Sequence, residues 1–425
     1  MAKRFQAPKG TRDLLPPETA VWAAVEDTAR RVFGLYGYRE IRTPLFEETE
    51  LFARGVGEGT DIVGKEMYTF TDKGGRSLTL RPENTAPVCR AYVEHGMDRQ
   101  PQPVRLFYVG PQFRYERPQK GRFRQFHQIG AELLGGKGPE SDAEILLMLV
   151  RFLEELGFLK LQVLLNTVGD AESRTAYREA LRSYLLPMKE RLSEDSRRRL
   201  DSNPLRILDT KSADEQEVLA GAPALADSLT PDSRDHFGRV LSSLDAFGLR
   251  HSIEPRLVRG LDYYTNTVFE IVSEGLGAQN AICGGGAYES LIAELGGPAT
   301  YGVGFAIGED RLLEVLPADS PARRVVPGPV LVAAMGNVAE QVVEGVRGMV
   351  RIVERLRSAG IPAIESSARG GRLFELAERL GSPFVVFIGD EELAEGSYSV
   401  RNVSTRAQER LPVEAAIARL RQSFP

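Results

Sequence analysis

Residues 104–134 constrain the fold more than any other stretch of this chain, because they have the pattern of two long strands joined by a basic turn. Both runs are rich in apolar residues, and the turn extends from Arg117 to Arg122. Side chains of a strand alternate between its two faces, so each run presents one polar face. These faces carry Gln112, Arg114 and Glu116 on the first run and Phe126, Gln128, Gly130 and Glu132 on the second. If covered, such a surface suits a ligand that is anionic at one end, planar at another and cationic at a third.

The composition restricts the class of protein. The chain has 425 residues, 42% hydrophobic and 27% charged, which predicts a soluble protein of two or three domains. No apolar run approaches the roughly 20 residues of a membrane helix, and the N-terminus lacks the apolar segment of a secretion signal. Cys89 and Cys283 are too far apart in sequence for a metal-type spacing, so we predict no structural metal site. A cytoplasmic location without membrane contact is therefore expected, and the net charge of −5 argues against indiscriminate binding of nucleic acid.

The order of predicted elements gives an α+β fold. A helix over 18–36, a helix opening at Pro82–Thr85, and strands on both sides of a charged helical stretch predict one antiparallel sheet with helices and a mostly helical insertion at about 170–250. Residues 315–329 contain four prolines and have the character of a linker. Beyond them, strands alternate with helices, one of them predicted over 337–358. We therefore predict a first domain over 1–325 and a small α/β domain over 326–425.

Arginines are the best candidates for holding a nucleotide. The phosphate-loop pattern at residues 59–66 has Glu66 where a magnesium-binding serine or threonine belongs, so it does not qualify. Arg114 lies mid-strand on the polar face in this prediction, Arg311 lies at the start of a helix, and Arg259 precedes a loop with two tyrosines. A guanidinium group binds phosphate oxygens in a bidentate manner and stays charged, and the glycine run 284–286 lets backbone approach a ligand closely.

Several separated motifs together resemble the histidyl-tRNA synthetases, a family of class II aminoacyl-tRNA synthetases. Residues 18–44 resemble the class II dimer-interface motif, residues 110–128 the ATP-binding second motif, and residues 302–311 the third motif. Residues 257–264, with the sequence LVRGLDYY, and the glycine run with Tyr288 resemble the histidine-specific signatures of the family. The resemblance extends from near residue 5 to near residue 423.

The resemblance implies a histidine site and a catalytic pair. Glu83, Thr85 and Gln128 would surround the ammonium group of the amino acid, while Glu132 and Tyr264 would bond the two imidazole nitrogens. Three further residues of the signatures complete the predicted set. They are Tyr263, Tyr288 and Arg259, the last of which would stabilise charge at the α-phosphate during reaction.

The resemblance also implies an ATP site. Arg114 would bind both the α-phosphate and the histidine carboxylate, and it forms the predicted catalytic pair with Arg259. Phe126 would stack on the adenine, Glu116 would orient it, and Arg311 would hold the γ-phosphate. Arg122 belongs to the same predicted ATP-binding set, and Mg²⁺ would bridge the outer phosphates without a dedicated protein metal site.

The implied reaction has two steps and several partners. Histidine would attack the α-phosphorus of ATP to give histidyl-adenylate and diphosphate, and a terminal hydroxyl of tRNA(His) would then accept the histidyl group and release AMP. The basic turn would meet the acceptor end of the tRNA, and the C-terminal domain would meet the anticodon. The family resemblance further implies a homodimer.

The chain departs from the family pattern in three places. Residues 287–290 read AYES where Arg-Tyr-Asp-Gly is usual, Asp310 stands where glutamate is common, and residues 367–374 lack a lysine-rich run. Two other functions remain open from sequence. A regulatory subunit of ATP phosphoribosyltransferase shares the core, although such subunits lack the C-terminal domain and usually erode the Arg259 loop. A general RNA-binding protein would account for the basic turn but not for residues 259–264.

Overall fold

The structure is a computed structural model. It describes residues 4–57, 60, 62–117, 121–210, 212–259, 261, 263–273, 281–324, 326–335, 342–343 and 346–424. The chain divides into two compact units, residues 1–324 and residues 325–425. In the parts of the chain that are described, no helix combines the length and the apolar character needed to cross a bilayer.

The first unit contains a large sheet, a small sheet and the helices packed on them. Its strands are β1 (Arg39–Glu40), β2 (Phe46–Glu48), β3 (Tyr68–Thr71), β4 (Ser77–Leu80), β5 (Val104–Phe113), β6 (Gln125–Leu134), β7 (Gln162–Thr167), β8 (His251–Ile253), β9 (Tyr264–Val272), β10 (Ala281–Tyr288) and β11 (Gly302–Gly308). Its helices are α1 (Glu18–Leu35), α2 (Thr49–Val56), α3 (Thr85–Glu94), α4 (Pro139–Glu155), α5 (Ala171–Leu185), α6 (Glu194–Ser202), α7 (Ala213–Leu219), α8 (Pro231–Ala246), α9 (Leu291–Glu294) and α10 (Glu309–Glu314).

The large sheet joins strands from both sides of the helical insertion. Over the described residues its order is β1-β5-β6-β11-β10-β9-β7-β8, and β2, β4 and β3 form the small antiparallel sheet. The pairs β1–β5 and β7–β8 at the two edges are parallel, and the pairs between them are antiparallel. The predicted antiparallel sheet is thus confirmed, with a parallel strand added at each edge.

The two faces of the large sheet have different chemistry because side chains alternate along β6. Ile129, Ala131 and Leu133 point into the main core, where helices α1, α4 and α8 cover them. Apolar residues of α1 recur at helical spacing, from Val25 through Ala29 to Val32 and Phe33, and all are fully buried. The opposite face of β6 carries Gln128 and Glu132, as the sequence predicts.

The insertion between β7 and β8 consists of α5 to α8, joined by short 3₁₀ segments. Apolar residues of α5 and of the segments after it, among them Tyr177, Leu181 and Leu200, form a separate core. Helix α8 differs, because its Phe237, Val240 and Leu244 belong to the main core of the unit. The insertion is therefore anchored to the large sheet through its last helix.

The second unit is a small α/β domain with helices on both faces of one sheet. Its strands are β12 (Val330–Ala334), β13 (Val342–Val343), β14 (Val346–Arg347), β15 (Ala363–Ser366), β16 (Phe384–Ile388), β17 (Ser397–Asn402) and β18 (Gln408–Pro412), and its helices are α11 (Gly348–Ser358), α12 (Gly371–Leu380), α13 (Asp390–Glu395) and α14 (Val413–Arg421). In the described part of the unit, the sheet order is β15-β12-β16-β17-β18. Val330 and Val332 face the core of α11 and α14, and Leu331 and Ala333 face α12.

Three details differ from the sequence prediction. Strand β5 ends at Phe113, so Arg114 lies just beyond the strand instead of within it. Helix α3 begins at Thr85, because the Glu83 carboxylate accepts the first backbone N–H groups from outside the helix. The helix predicted over 337–358 begins at Gly348 and follows the short hairpin β13–β14. The earlier part of that prediction, 337–341 with 344–345, lies outside the described residues.

Candidate active site

Two cavities lie side by side on the polar face of the large sheet. The smaller, about 130 Å³, is lined by side chains that include Glu83, Thr85, Glu132, Tyr264 and Tyr288. The larger, about 380 Å³, is lined by side chains that include Glu116, Arg122, Phe126, Glu270 and Arg311. Residues common to both linings are Arg114, Gln128, Arg259, Gly284 and Ala306. The two arginines therefore stand where the cavities meet.

The end of the smaller cavity is built around the Glu132 carboxyl group. Glu132 is 1% exposed, and its two oxygens accept hydrogen bonds from Thr85 Oγ1 and Tyr288 OH, each at 2.7 Å. Burial raises the pKa of Glu132 to about 8, against the lowering effect of both hydroxyls. The neighbouring charge of Glu83 adds to the rise. The carboxyl is thus held in a fixed orientation and is largely protonated below pH 8, so it can donate as well as accept a hydrogen bond.

Glu83 provides a second fixed acid in the smaller cavity. One oxygen accepts the backbone N–H of Thr85 at 2.6 Å, and the other accepts that of Ala86 at 3.1 Å. Burial raises the pKa of Glu83, while these N–H groups and the charge of Arg114 favour its ionised form. The first turn of α3 therefore holds this carboxylate at the cavity wall.

The position of Arg259 depends on an ion pair with Glu270 and on the space left by Gly284. Its guanidinium forms an ion pair with Glu270 of β9, and this pairing raises the pKa of Arg259 against the effect of burial. A Cβ atom at Gly284 would overlap this guanidinium, so the β10 strand must carry glycine there. The Nε of Arg259 is buried without a hydrogen-bond partner among the described residues, and it is available to a ligand.

Arg114 is fixed at the other side of the junction. Its Nε donates to Pro82 O at 2.8 Å, and its guanidinium lies 5.3 Å from the centre of the Phe126 ring. Gln128 is 8% exposed beside it, and the side-chain Oε1 of Gln128 has no partner among the described residues. An ammonium group is the natural complement of this amide oxygen.

The larger cavity is rich in cations. Arg122 donates to Glu116 at 2.8 Å, and Glu116 also lies 4.0 Å from Arg114. Burial, together with the nearby charge of Arg122, lowers the pKa of Arg311. Guanidinium groups brought this close to one another favour a polyanionic ligand between them.

Glycines on neighbouring strands create the depth of the site. A Cβ atom at Gly304 would overlap the Glu132 carboxylate, and one at Gly302 would overlap the Tyr288 ring. At Gly286 a Cβ atom would lie 2.8 Å from the Tyr264 ring. The sequence predicted close backbone approach for the run 284–286, and the structure places this run inside β10 rather than in a turn.

All of the sequence-predicted site residues line the two cavities. Those of the smaller cavity alone are Glu83, Thr85, Glu132, Tyr263, Tyr264 and Tyr288; those of the larger alone are Glu116, Arg122, Phe126 and Arg311; and Arg114, Gln128 and Arg259 belong to both. Of the basic turn, residues 118–120 lie outside the described part of the chain.

Sequence reasoning missed several residues of the site. Glu270 and Asp209 line the larger cavity, and Asp209 comes from the insertion. Asp310 accepts a hydrogen bond from the His127 backbone N–H at 3.0 Å and forms an ion pair with Arg12 at 3.2 Å. The alternation along β9 places Glu270 on the same face as Tyr264 and could have identified it, whereas nothing in the sequence relates Asp209 to the sheet.

Comparisons with known proteins agree with this geometry. A sequence model described as histidyl-tRNA synthetase matches residues 10–312, and one described as an anticodon binding domain matches residues 330–423. The chain is 48% identical over 418 residues to a histidine–tRNA ligase of Desulforudis audaxviator (strain MP104C), covering 98% of each chain.

Solved structures give the same result. The apo histidyl-tRNA synthetase of S. aureus superposes with a TM-score of 0.80 at 36% identity, covering 98% of this chain and 100% of that one. A Bacillus halodurans C protein described as an ATP phosphoribosyltransferase regulatory subunit/histidyl-tRNA synthetase superposes at 0.66 with 22% identity, covering 92% of this chain and 99% of that one. This second likeness shows only a shared fold. By sequence and by structure, the chain belongs to the histidyl-tRNA synthetase family.

Proposed function

We propose that this chain joins L-histidine to tRNA(His) with ATP, through a histidyl-adenylate formed where the two cavities meet. The observation that carries the proposal is the position of Arg114 and Arg259, which line both cavities. The smaller cavity offers acids and hydroxyls, and the larger offers arginines. A zwitterionic amino acid and a nucleotide triphosphate are the complementary ligands.

The smaller cavity selects histidine in this proposal. The fixed carboxylate of Glu83, the hydroxyl of Thr85 and the amide oxygen of Gln128, which has no partner among the described residues, surround the ammonium group. Glu132 and Tyr264 bond the two nitrogens of the imidazole, and a site that pairs both nitrogens rejects analogues that lack one of them. Tyr288 and Tyr263 support the two residues that bond the imidazole. Tyr288 OH donates a hydrogen bond to Glu132, and the ring centres of Tyr263 and Tyr264 are 4.6 Å apart.

The larger cavity holds ATP. Phe126 provides an aromatic face for the adenine, with Glu116 and Arg122 beside it. Arg311 binds the γ-phosphate at the far end, and Arg114 binds the α-phosphate together with the histidine carboxylate. These assignments rest on the charges and positions of the side chains and on the family resemblance.

Charge stabilisation and positioning drive the first step. The histidine carboxylate oxygen attacks the α-phosphorus, the bond from that phosphorus to the bridging oxygen breaks, and diphosphate leaves. Arg259 lies at the junction and stabilises the negative charge that grows on the α-phosphate oxygens. Arg114 holds the two reactants together. The entropy cost of bringing them together is therefore met when they bind, and it does not add to the activation barrier of the chemical step.

Mg²⁺ fits the larger cavity as a partner of ATP. This ion favours one or two carboxylates together with substrate phosphates, and Glu116, Asp209 and Glu270 supply carboxylates in the lining. Held by one or two of these carboxylates and by ATP, the ion would supply positive charge to the phosphates. Within the described residues no cluster of three or more potential ligands forms a separate metal centre.

Domain roles complete the proposal. The unit of residues 1–324 carries out both steps, and the unit of residues 325–425, matched by an anticodon-binding model, binds the anticodon. We further propose a cytoplasmic homodimer formed through the residues 18–44 that resemble the dimer-interface motif, whose last residues, 41–44, line a groove, and through the side of the small sheet. There Phe46 and Phe70 are 50% and 44% exposed with ring centres 6.3 Å apart, beside a groove of about 1020 Å³ along α2 and α3.

Histidine-dependent exchange of labelled diphosphate into ATP tests the chemistry directly. We expect exchange with L-histidine and Mg²⁺, and no exchange with phenylalanine. A protein that binds histidine but gives no exchange at any histidine concentration would instead be a regulatory subunit. A protein that binds tRNA but not histidine would be a general RNA-binding protein.

A further inference from the structure

The pairing register between β9, which carries Tyr264, and β10 shifts beside the site. Strands β9 and β10 are antiparallel, and Gly286 lies opposite Val268. The next residue of β10, Ala287, lies opposite Thr265, so Asn266 and Thr267 have no partner in β10. Two extra residues therefore form a bulge in β9.

This bulge decides what Tyr264 faces. If the register of Gly286 and Val268 continued unchanged, Tyr288 would lie opposite Asn266, and Tyr264 would lie opposite Ser290 beyond the end of β10. In the structure Tyr264 lies opposite Tyr288. The shift of two residues corresponds to about 7 Å along the strand. Without the bulge, Tyr264 would thus lie outside the smaller cavity that it lines.

Asn266 gives the bulge its shape. It has a φ of 48°, in the left-handed region that asparagine tolerates better than most residues. Its backbone N–H donates to Gly169 O at 2.9 Å, and its carbonyl accepts from the Val168 N–H at 2.8 Å. The residue is 5% exposed, so the segment after β7 holds its backbone in a buried place.

The Asn266 side chain connects the end of β10 to the insertion. Its Nδ2 donates to Glu289 Oε1 at 3.0 Å, and Glu289 directly follows Tyr288. Its Oδ1 accepts from Ser233 Oγ at 3.3 Å, at the start of the insertion helix α8. Arg174 of the insertion also donates to the Tyr264 carbonyl at 3.0 Å. The segments that carry Tyr264 and Tyr288 are thus connected through the Asn266 amide to each other and to the insertion.

We propose that Asn266 and Glu289 are positioning residues that set histidine affinity by holding Tyr264 opposite Tyr288. The inference rests on the proposed function, since it assigns these residues to the histidine site. It also gives a role to Glu289, one of the residues that depart from the family pattern. Glu289 contributes an acceptor oxygen, Oε1, to the hydrogen bond from Asn266 Nδ2. A neutral glutamine also has an acceptor oxygen and should therefore make the same bond.

The test compares KM values in the diphosphate-exchange assay. Asn266→Ala removes both side-chain bonds and disfavours the left-handed backbone, and Asn266→Gly removes only the bonds. We expect KM for histidine to rise about tenfold or more in Asn266→Ala and less in Asn266→Gly, with KM for ATP nearly unchanged. Glu289→Ala should raise KM for histidine, and Glu289→Gln should restore it. The matched control is Ser242→Ala, an exposed serine of α8 whose hydroxyl bonds only within its helix.

The outcomes separate the inference from the function. Wild-type protein without exchange would contradict the proposed function. If the wild type is active and the variants have an unchanged KM for histidine but a lower melting temperature, the positioning role is overturned. An equal rise of KM for histidine and KM for ATP in the variants would overturn it as well. If Asn266→Ala does not fold, the pair Glu289→Ala and Glu289→Gln decides the question, because Glu289 is exposed.

Discussion

At the scale of single residues, the site depends on charges that the protein holds in place before any ligand binds. Arg259 is paired with Glu270, and Glu132 receives two hydroxyl donors while being fully buried. Such preorganised groups need little rearrangement during reaction, and this is where enzymes gain most of their electrostatic stabilisation. The residues that matter most here are therefore those with fixed partners.

Arg259→Ala should lower the rate of histidine-dependent diphosphate exchange by on the order of 10²–10³, as for the loss of one donor to a developing charge. The physical reason is the loss of the cation between the two cavities. The exchange rate at saturating ATP and histidine is the measurement, and exposed Arg256→Ala in the same loop is the control. A change confined to KM for ATP would contradict a role in the transition state.

Glu132→Gln should change the pH dependence of stability. The pKa of Glu132 rises on folding from 4.5 to about 8, so between these values the folded protein binds a proton that the unfolded chain releases. The free energy of unfolding should therefore fall as pH rises through this window, and Glu132→Gln should lack this part of the fall. Urea unfolding at several pH values measures the difference, with exposed Glu172→Gln as control. Parallel curves for the variant and the wild type would refute the assignment. KM for histidine should rise, because glutamine has one side-chain oxygen where Glu132 accepts hydrogen bonds from Thr85 and Tyr288 on two.

At the scale of elements, the strands β6, β9, β10 and β11 act as one rigid support. Glycines of these strands leave space for neighbouring side chains, as Gly304 does for Glu132 of β6 and Gly284 does for Arg259 of the loop before β9. Between irregularities, a strand pair has one register, and that register sets which residues meet. The register of β9 and β10 changes at two places, between Ala281 and Cys283 and at the bulge of Asn266.

Gly284→Ala should lower the exchange rate by on the order of 10²-fold, about as much as Arg259→Ala does. The reason is that the alanine methyl group would occupy the position of the Arg259 guanidinium. Gly238→Ala in α8 is the matched control, since nothing lies within 4 Å of its Cβ position. This control should keep its activity and gain about 0.5–1 kcal/mol of stability in the helix interior. Full activity in Gly284→Ala would show that Arg259 can act from another position.

The sequence predicted elements best where one physical pattern dominated. Helix α1 has its apolar residues at helical spacing, and β6 alternates, so both were correct. The helix over 337–358 was wrong at residues 342–343 and 346–347, which form strands, because valines suit a strand as well as a helix. Arg114 was placed within a strand because nothing local marks where β5 ends.

At the scale of the whole molecule, each unit has its own hydrophobic core. The core of the first unit combines strands from both sides of the insertion, and that of the second uses both faces of a smaller sheet. Units with separate cores can fold independently. The proposed chemistry and the proposed anticodon binding are therefore separable by experiment.

A protein truncated to residues 1–324 should keep histidine-dependent exchange, while its charging of tRNA should fall by on the order of 10²-fold, because the second of two linked binding sites is lost. Exchange and aminoacylation rates of the same preparation are the measurements. Undiminished charging of tRNA would argue against an anticodon role for residues 325–425.

The proposed dimer is testable by mass. The protein should elute with twice the 46.9 kDa chain mass in light-scattering chromatography, and Phe46→Lys should shift it toward the monomer by placing a charge in the apolar contact. Leu159→Lys, at a side chain that is 88% exposed, is the control and should stay dimeric. A wild-type mass of one chain would reject the dimer.

The sequence by itself determined the α+β class, the two-part organisation and many, though not all, of the residues that line the two cavities. These follow from periodicity and from short motifs, whose side chains carry their chemistry wherever the chain places them. Only the tertiary structure decided that Arg259 meets Glu270 and Gly284, that the pKa of Glu132 is raised, and that Tyr264 faces Tyr288. These depend on burial, on strand register and on contacts between residues distant in sequence, and no local pattern encodes them.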